Sequence, residues 1–153
     1  MSDLVYHEFS DLPADFVALT GALDRELRAK NGGAQDLYDG FNKLEGISDV
    51  VLAYRGETAV GCASFKVRQP GLAEVKRVYV DPSVRGRGVS KGLMARLEAR
   101  ARRAGIRTLL VETSWTFVEA NRLYPGLGFV ECDNFPPYVG MPLSACYRKE
   151  LAP

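Results

Sequence analysis

The chain has few of the residues from which many catalytic and metal sites are built. Its 153 residues include one histidine, His7, and three cysteines. Cys62, Cys132 and Cys146 are scattered and have no CxxC spacing, so we expect free thiols in a reducing cytoplasm and no metal site. A Ser-His-Asp or Cys-His mechanism would depend on a histidine near the N-terminus, and we set it aside.

Long apolar runs are also missing. No run reaches the length that spans a membrane, and Met1-Ser2-Asp3 has none of the basic residues of a signal peptide, so we expect a cytoplasmic protein without membrane contact. The composition, 46% hydrophobic and 25% charged, is typical of a folded globular protein. The length predicts one domain over residues 1–153.

Charge is balanced overall but unevenly distributed. Residues 1–49 contain ten acidic and four basic side chains, whereas residues 85–107 contain eight basic and one acidic. A basic block can bind nucleic acid, but aromatic residues are not interleaved with this one, so no nucleic-acid partner is expected. Most of the block lies along one predicted helix and favours a polyanionic cofactor. The acidic segment would suit a cationic substrate or form a solvated surface.

The strongest functional pattern lies in residues 73–105. It predicts a β-branched strand, a turn at Asp81-Pro82-Ser83, the glycine loop Arg85-Gly86-Arg87-Gly88, and a long helix that ends before Gly105. A glycine loop that leads into a helix N-terminus binds phosphate, because free backbone N–H groups and the helix dipole favour an anion there. Arg85, Arg87 and Lys91 add cationic donors.

The spacing of the loop residues limits which kind of phosphate ligand we expect it to bind. It lacks the GxxxxGK[ST] of a Walker A loop and the third glycine of a dinucleotide-binding GxGxxG. Arg85-x-x-Gly88-x-Ser90 instead resembles the acetyl-coenzyme A signature [QR]xxGx[GA] of the GNAT superfamily of N-acetyltransferases, with Ser90 in place of Gly or Ala. VYVDPSVRGRG and ETSWTFVEANRLYPGLGF extend the resemblance over about residues 51–151.

The resemblance implies an α/β architecture, the GNAT fold, with a central mixed sheet of about seven strands and helices on both faces. Periodicity along the chain gives a compatible order, β-α-α-β-β-β-α-β-α-β-β. The predicted strands are 4–9, 50–54, 58–67, 74–80, 108–113, 129–132 and 143–149, and the predicted helices are 11–30, 35–44, 89–104 and 115–123.

The resemblance also implies catalytic roles. Glu74, six residues before Val80, matches the base of family members that use a strand glutamate, and water relayed to Glu112 stays open as an alternative. Tyr124 matches the proton donor to the departing thiolate, which is chemically reasonable because a phenol and a thiol have pKa values of about 10 and 8.5. Pro125 follows it, so we expect Tyr124 at a helix end.

Cofactor contacts follow from the same likeness. Backbone groups of Val78, Tyr79 and Val80 would bind the pantetheine arm, and the Val78 amide would polarise the acetyl carbonyl. The residues expected to hold the pyrophosphate and the rest of the coenzyme are Arg85, Gly86, Arg87, Gly88, Val89, Ser90 and Asn121. The cofactor is acetyl-CoA as acyl donor, with no metal.

The acceptor is less well specified. Candidate contacts are Tyr38, Phe41, Asn42 and Tyr138, and the short chain favours a small primary amine or an amino-acid-like acceptor. Alternatives are a protein lysine or N-terminal acetyltransferase and a non-catalytic acyl-CoA sensor. The presence of Glu74, Asn121 and Tyr124 together counts against the sensor. A homodimer is left open.

Overall fold

The computed structural model describes residues 3–31 and 43–152. The predicted helix 35–44 lies almost wholly outside these residues, as do Tyr38, Phe41 and Asn42. Its last two positions, Lys43 and Leu44, are described and are not helical.

Seven strands and three α-helices make up the described structure. The strands are β1 (Leu4–Phe9), β2 (Ile47–Arg55), β3 (Thr58–Gln69), β4 (Leu72–Val80), β5 (Thr108–Ser114), β6 (Val130–Cys132) and β7 (Ser144–Glu150). The helices are α1 (Ala14–Asn31), α2 (Val89–Arg103) and α3 (Val118–Gly126), and a short 3-10 helix covers Pro82–Val84.

The strands form one mixed sheet in the order β1-β2-β3-β4-β5-β7-β6. Antiparallel pairing joins β1 to β2, β2 to β3, β5 to β7 and β6 to β7. The pair β4–β5 is parallel, from Leu72 opposite Thr108 to Val75 opposite Val111. A parallel pair needs a crossover, which α2 supplies. The predicted seven-stranded α/β sheet is confirmed.

The chain divides into two compact units, of which the first comprises Met1–Lys66 and Lys76–Leu97. In this unit α1 packs Phe16 and its apolar stripe into a cluster that includes Cys62 of β3. The neighbouring residue Gly61 faces α2, because a Cβ there would lie 3.1 Å from Leu93. Successive strand residues point to opposite faces, so α1 and α2 cover opposite faces of β3, as predicted.

The second unit comprises Val67–Val75 and Glu98–Pro153. Its centre is β5, where the run Leu109–Val111 is buried, as expected for a strand covered on both faces. β7 pairs with β5 along its whole length, and the short β6 follows at the edge of the sheet. Lys149 of β7 donates to Glu98 of α2 at 2.8 Å, so the last turns of α2 are tied to β7.

Some boundaries differ from the prediction. α1 begins at Ala14, so Pro13 occupies the N-cap position, and Asp11, which we expected to cap the helix, lies two residues before it. α3 begins at Val118, not at Trp115, and continues through Pro125 to Gly126. Proline removes only its own N–H, and the amide of residue 127 still donates to the carbonyl of residue 123 at 3.1 Å. Tyr124 therefore lies near the end of the helix, as predicted, but Pro125 does not stop the helix, which ends two residues after Tyr124.

Candidate active site

A glycine loop joins β4 to α2 in the first unit. Asp81 caps the 3-10 helix by accepting from Ser83 N at 2.9 Å, and its hydrogen bonds with Ser83 hold the pKa of the Asp81 carboxyl below its usual value. Gly86 and Gly88 have φ of 78° and 79°, where other residues are strained. A Cβ at either position would meet no atom within 4 Å. The loop therefore needs glycine for its backbone conformation and leaves open space beside it.

Helix α2 starts directly after this loop, at Val89. The first amides of a helix have no partner within it, and they carry the positive end of the helix dipole. Ser90 is half-buried at this end, while Arg87 and Lys91 are exposed beside it. Amides, dipole and cations together form a site suited to a phosphate group.

Arg85 connects the loop to neighbouring elements. Its Nη2 donates to Glu26 Oε1 of α1 at 2.7 Å, and its Nε donates to Val80 O of β4 at 2.8 Å. The guanidinium also lies over the ring of Tyr79, 5.6 Å from its centroid. Two predicted cofactor residues, Arg85 and Val80, therefore already bind each other, and Arg85 has a carboxylate partner.

Glu74 is the centre of a buried polar cluster in the second unit. It is the third residue of β4 and is 1% exposed. Its Oε1 accepts from Arg68 Nη1 at 2.5 Å, and its Oε2 accepts from the Tyr138 hydroxyl at 2.9 Å. Arg68 also donates to Pro136 O at 2.9 Å. The predicted base and the predicted acceptor-loop residue Tyr138 are thus in direct contact, and both carboxylate oxygens are engaged.

Glu112 and Tyr124 form a second pair of functional groups in this unit. Glu112 of β5 is half-buried, and its Oε2 accepts from Ser144 Oγ at 2.7 Å. Tyr124 of α3 is 5% exposed and packs edge-on against Phe129. Burial raises the pKa of Tyr124 and the Glu112 charge raises it further, so the phenol keeps its proton beyond its ordinary range.

Asn121 holds the connection between β5 and α3. Its Nδ2 donates to Ser114 O and to Phe117 O, both at 2.8 Å, and its Oδ1 accepts from the Tyr147 hydroxyl at 2.6 Å. The whole side-chain amide is used inside the protein. Its contact with a coenzyme stays a prediction.

Comparison with known proteins identifies the family. A model of the acetyltransferase (GNAT) family matches residues 18–129, more than half of the chain. The chain belongs to the acetyltransferase (GNAT) family. It is similar to an IAA acetyltransferase of Azospirillum brasilense, 37% identical over 102 residues that cover 66% of this chain and 67% of that protein. It is also similar to a mycothiol acetyltransferase of Brachybacterium faecium, 38% identical over 53% of this chain and 26% of the relative.

Solved structures agree with the GNAT assignment. A putative acyl-CoA N-acyltransferase from Klebsiella pneumoniae is 30% identical, with a TM-score of 0.81 over 97% of this chain and 98% of that one. A structure of yncA from Salmonella typhimurium with its cofactor acetyl-CoA has a TM-score of 0.69 at 20% identity, over 98% and 95% of the two chains, which shows the shared fold. This GNAT chain is an acyltransferase.

Three residues that contact the candidate site residues were not found from the sequence: Arg68, Ser144 and Tyr147. Arg68 could have been, because the two-residue turn Pro70-Gly71 makes β3 and β4 consecutive strands and places Arg68 near Glu74. Ser144 and Tyr147 lie far along the chain from their partners, and no local pattern marks them.

Within residues 3–31 and 43–152, no group of three His, Cys, Asp or Glu side chains could hold a metal ion. No helix in these ranges is long and apolar enough to cross a membrane. The described cysteines are free thiols, as predicted, and Cys62 and Cys146 are buried.

The Glu74 cluster yields a test of its structural role. Arg68→Met leaves a buried carboxylate with one partner fewer, which we expect to cost about 3 kcal/mol of unfolding free energy. Adding Glu74→Gln should recover part of this loss, because no buried charge then remains unpaired. Urea denaturation at neutral pH measures the free energy of unfolding of the wild type, of Arg68→Met and of the double variant.

Arg148→Met is the matched control, because the Arg148–Glu150 pair is exposed and should contribute at most about 1 kcal/mol. Equal losses for Arg68→Met and Arg148→Met would contradict the cluster's structural role.

Proposed function

We propose that this GNAT chain transfers the acetyl group of acetyl-CoA to a primary amine of a small or amino-acid-like molecule. The acceptor nitrogen attacks the thioester carbonyl directly, the new C–N bond forms and the C–S bond breaks. The nitrogen loses a proton to a base, and the departing thiolate takes a proton from an acid. The single domain predicted over residues 1–153 would provide all of these groups.

The glycine loop supports the cofactor assignment. Gly86 and Gly88 expose their backbone beside open space, and the N-terminus of α2 follows at once. The coenzyme's pyrophosphate would bind these amides, with Arg87 as a nearby cation. Arg85 is already paired with Glu26, so its main contribution would be to hold the loop in place. The backbone of β4 at Val78 would meet the thioester end.

Tyr124 is the proposed acid. A phenol suits this role only if it still carries its proton when the thiolate leaves. Burial and the Glu112 charge raise the pKa of Tyr124, so the proton is retained at neutral and mildly alkaline pH.

Glu112, acting through water, is the proposed base. Glu74 was the first candidate, but it is buried, and its oxygens accept from Arg68 and Tyr138. A carboxylate held in this way is poorly placed to take a proton from an incoming ammonium group. Glu112 is half-buried, and, after burial, its charge adds to the raised pKa of Tyr124 and, behind the charge of Glu74, to that of Tyr138.

The names of two relatives support a small acceptor. One is an IAA acetyltransferase and the other a mycothiol acetyltransferase, and neither name designates a protein substrate. The loop that carries Tyr138 would then border the acceptor, with Glu74 and Arg68 fixing its position.

The assignment is tested by thiol release from acetyl-CoA in the presence of single amines, amino acids and short peptides. We expect at least one small amine to raise release at least tenfold above the rate without acceptor. Stimulation by peptides alone would establish the protein acetyltransferase instead. Coenzyme binding with no stimulation by any member would establish an acyl-CoA sensor.

The pH–rate profile separates the proposed acid and base. Glu112→Gln should lower turnover about a hundredfold and abolish the acidic limb, whereas Tyr124→Phe should lower it about a hundredfold or more and abolish the alkaline limb. Because the pKa of Tyr124 is raised, the wild-type alkaline limb should lie above the ordinary phenol value of 10. Glu74→Gln is the matched control and should keep both limbs. Loss of the acidic limb in Glu74→Gln, but not in Glu112→Gln, would return the base role to Glu74.

A further inference from the structure

Arg77 of β4 has a backbone conformation that arginine rarely adopts. Its φ is 58°, and within the described part of the chain it is the one residue other than glycine with a positive φ. A left-handed conformation crowds the Cβ of an L-amino acid, so it persists only where the surroundings hold it. Such positions concentrate at functional sites.

The side chain of Arg77 is anchored to helix α1. It is buried, and its Nη2 donates to Thr20 O at 2.7 Å and to Asp24 Oδ1 at 2.6 Å. Asp24 is half-exposed, so the ion pair is only partly shielded from water. These contacts fix the guanidinium, and therefore the residue, against α1.

The backbone of the same segment is held by side chains of β3. Cys62 Sγ donates to Arg77 O at 3.2 Å, and Ser64 Oγ donates to Lys76 O at 2.6 Å. Burial raises the pKa of the Cys62 thiol to about 12, so the thiol is protonated and can donate at neutral pH. A side-chain thiol and a hydroxyl thus act on two successive carbonyls of β4.

The hydrogen bond from Cys62 to the Arg77 carbonyl also fixes the direction in which the N–H of Val78 points. The carbonyl of Arg77 and the N–H of Val78 belong to one peptide unit, which is planar and trans. In a trans peptide the C=O and N–H bonds point in opposite directions. Because the Arg77 carbonyl points at Cys62 of β3, the Val78 N–H points away from Cys62.

The burial of the Arg77 guanidinium is unfavourable for the stability of the fold. Within the described residues, Arg77 Nε and Nη1 are buried and have no hydrogen-bond partner. Buried donors without partners are costly, and a well-packed apolar side chain is often as stable as a buried ion. A charged residue in a left-handed conformation, with two donors that no described residue accepts, points to a functional constraint rather than to stability.

We propose that Arg77 and Cys62 are positioning residues that fix the 77–78 peptide so that the Val78 amide is aimed at the acetyl carbonyl oxygen. The inference rests on the proposed function, in which that amide is the oxyanion donor. Arg77 holds the peptide through α1, and Cys62 holds it through the carbonyl. Neither side chain touches the substrate.

The test measures polarisation of the thioester directly and needs no acceptor. Acetyl-CoA labelled with ¹³C at the acetyl carbonyl is bound to the intact protein, and its C=O stretch is recorded by isotope-edited infrared spectroscopy. In the wild type the band should shift to lower frequency than in free acetyl-CoA. In Arg77→Met and in Cys62→Ala at least half of this shift should be lost. The dissociation constant for CoA should change less than twofold, which a general loss of structure would not allow.

Arg103→Met and Cys132→Ala are the matched controls. Arg103 is exposed and Cys132 is only partly buried, and both lie far from Arg77 along the chain. Both should keep the wild-type band. If Arg77→Met does not fold, Asp24→Ala removes one anchor from the surface and should lose part of the shift.

The outcomes separate this inference from the proposed function. Folded Arg77→Met or, in its place, Asp24→Ala with a wild-type band would overturn the role of Arg77, and Cys62→Ala with a wild-type band would overturn that of Cys62. A wild-type band that does not shift on binding would overturn the whole inference and leave the cofactor assignment intact. Absence of acetyl-CoA binding to the wild type would overturn the proposed function itself.

Discussion

Strand β4 lies in the middle of the sheet and carries three ionisable side chains, Glu74, Lys76 and Arg77, in its buried stretch. Charges withdrawn from water must be paired, and the elements around the strand meet this requirement. Arg68 and Tyr138 bind Glu74, which ties the loop before β7 to the strand. Helix α1 binds Arg77. Glu74 of β4 thus holds the loop that carries Tyr138, and Arg77 of β4 is held by α1.

The same kind of pairing underlies the proposed division of roles between two carboxylates. Both oxygens of Glu74 accept hydrogen bonds, from Arg68 and Tyr138, whereas burial, and after it the charge of the half-buried Glu112, raises the pKa of Tyr124, the proposed acid. An acid must keep its proton and a base must be ionised, and differences in burial and hydrogen bonding shift the pKa values of the two groups accordingly. In the other unit, the glycine loop offers backbone amides and cations to an anion. The proposed acetyl transfer would use the shifted pKa of Tyr124 for proton transfer and the amides and cations of the glycine loop for binding the coenzyme.

Sequence periodicity predicted the strands and helices because the apolar positions that face the core repeat at regular intervals. It began α3 at Trp115, three residues too early, and it stopped the helix before Pro125, whereas the helix continues through Pro125 to Gly126 because proline removes only its own N–H. The bond between Glu74 and Tyr138 joins residues 64 apart in the chain, and only the fold brings them together. The left-handed φ of Arg77 could not be predicted either, since arginine shows no preference for it. The residues before position 43 that were assigned to the acceptor lie outside the described structure.

The most direct test of the account is calorimetric titration with acetyl-CoA of the wild type, Gly88→Asp and Gly88→Asn. Asp and Asn are the residues that best tolerate the left-handed φ at Gly88 and have nearly the same size, so the difference between them isolates charge. If the loop holds the pyrophosphate, the wild type binds one acetyl-CoA per chain and the Asp variant binds at least tenfold more weakly than the Asn variant, because a carboxylate repels the phosphates. Equal affinities for the Asp and Asn variants would contradict the assignment of this loop.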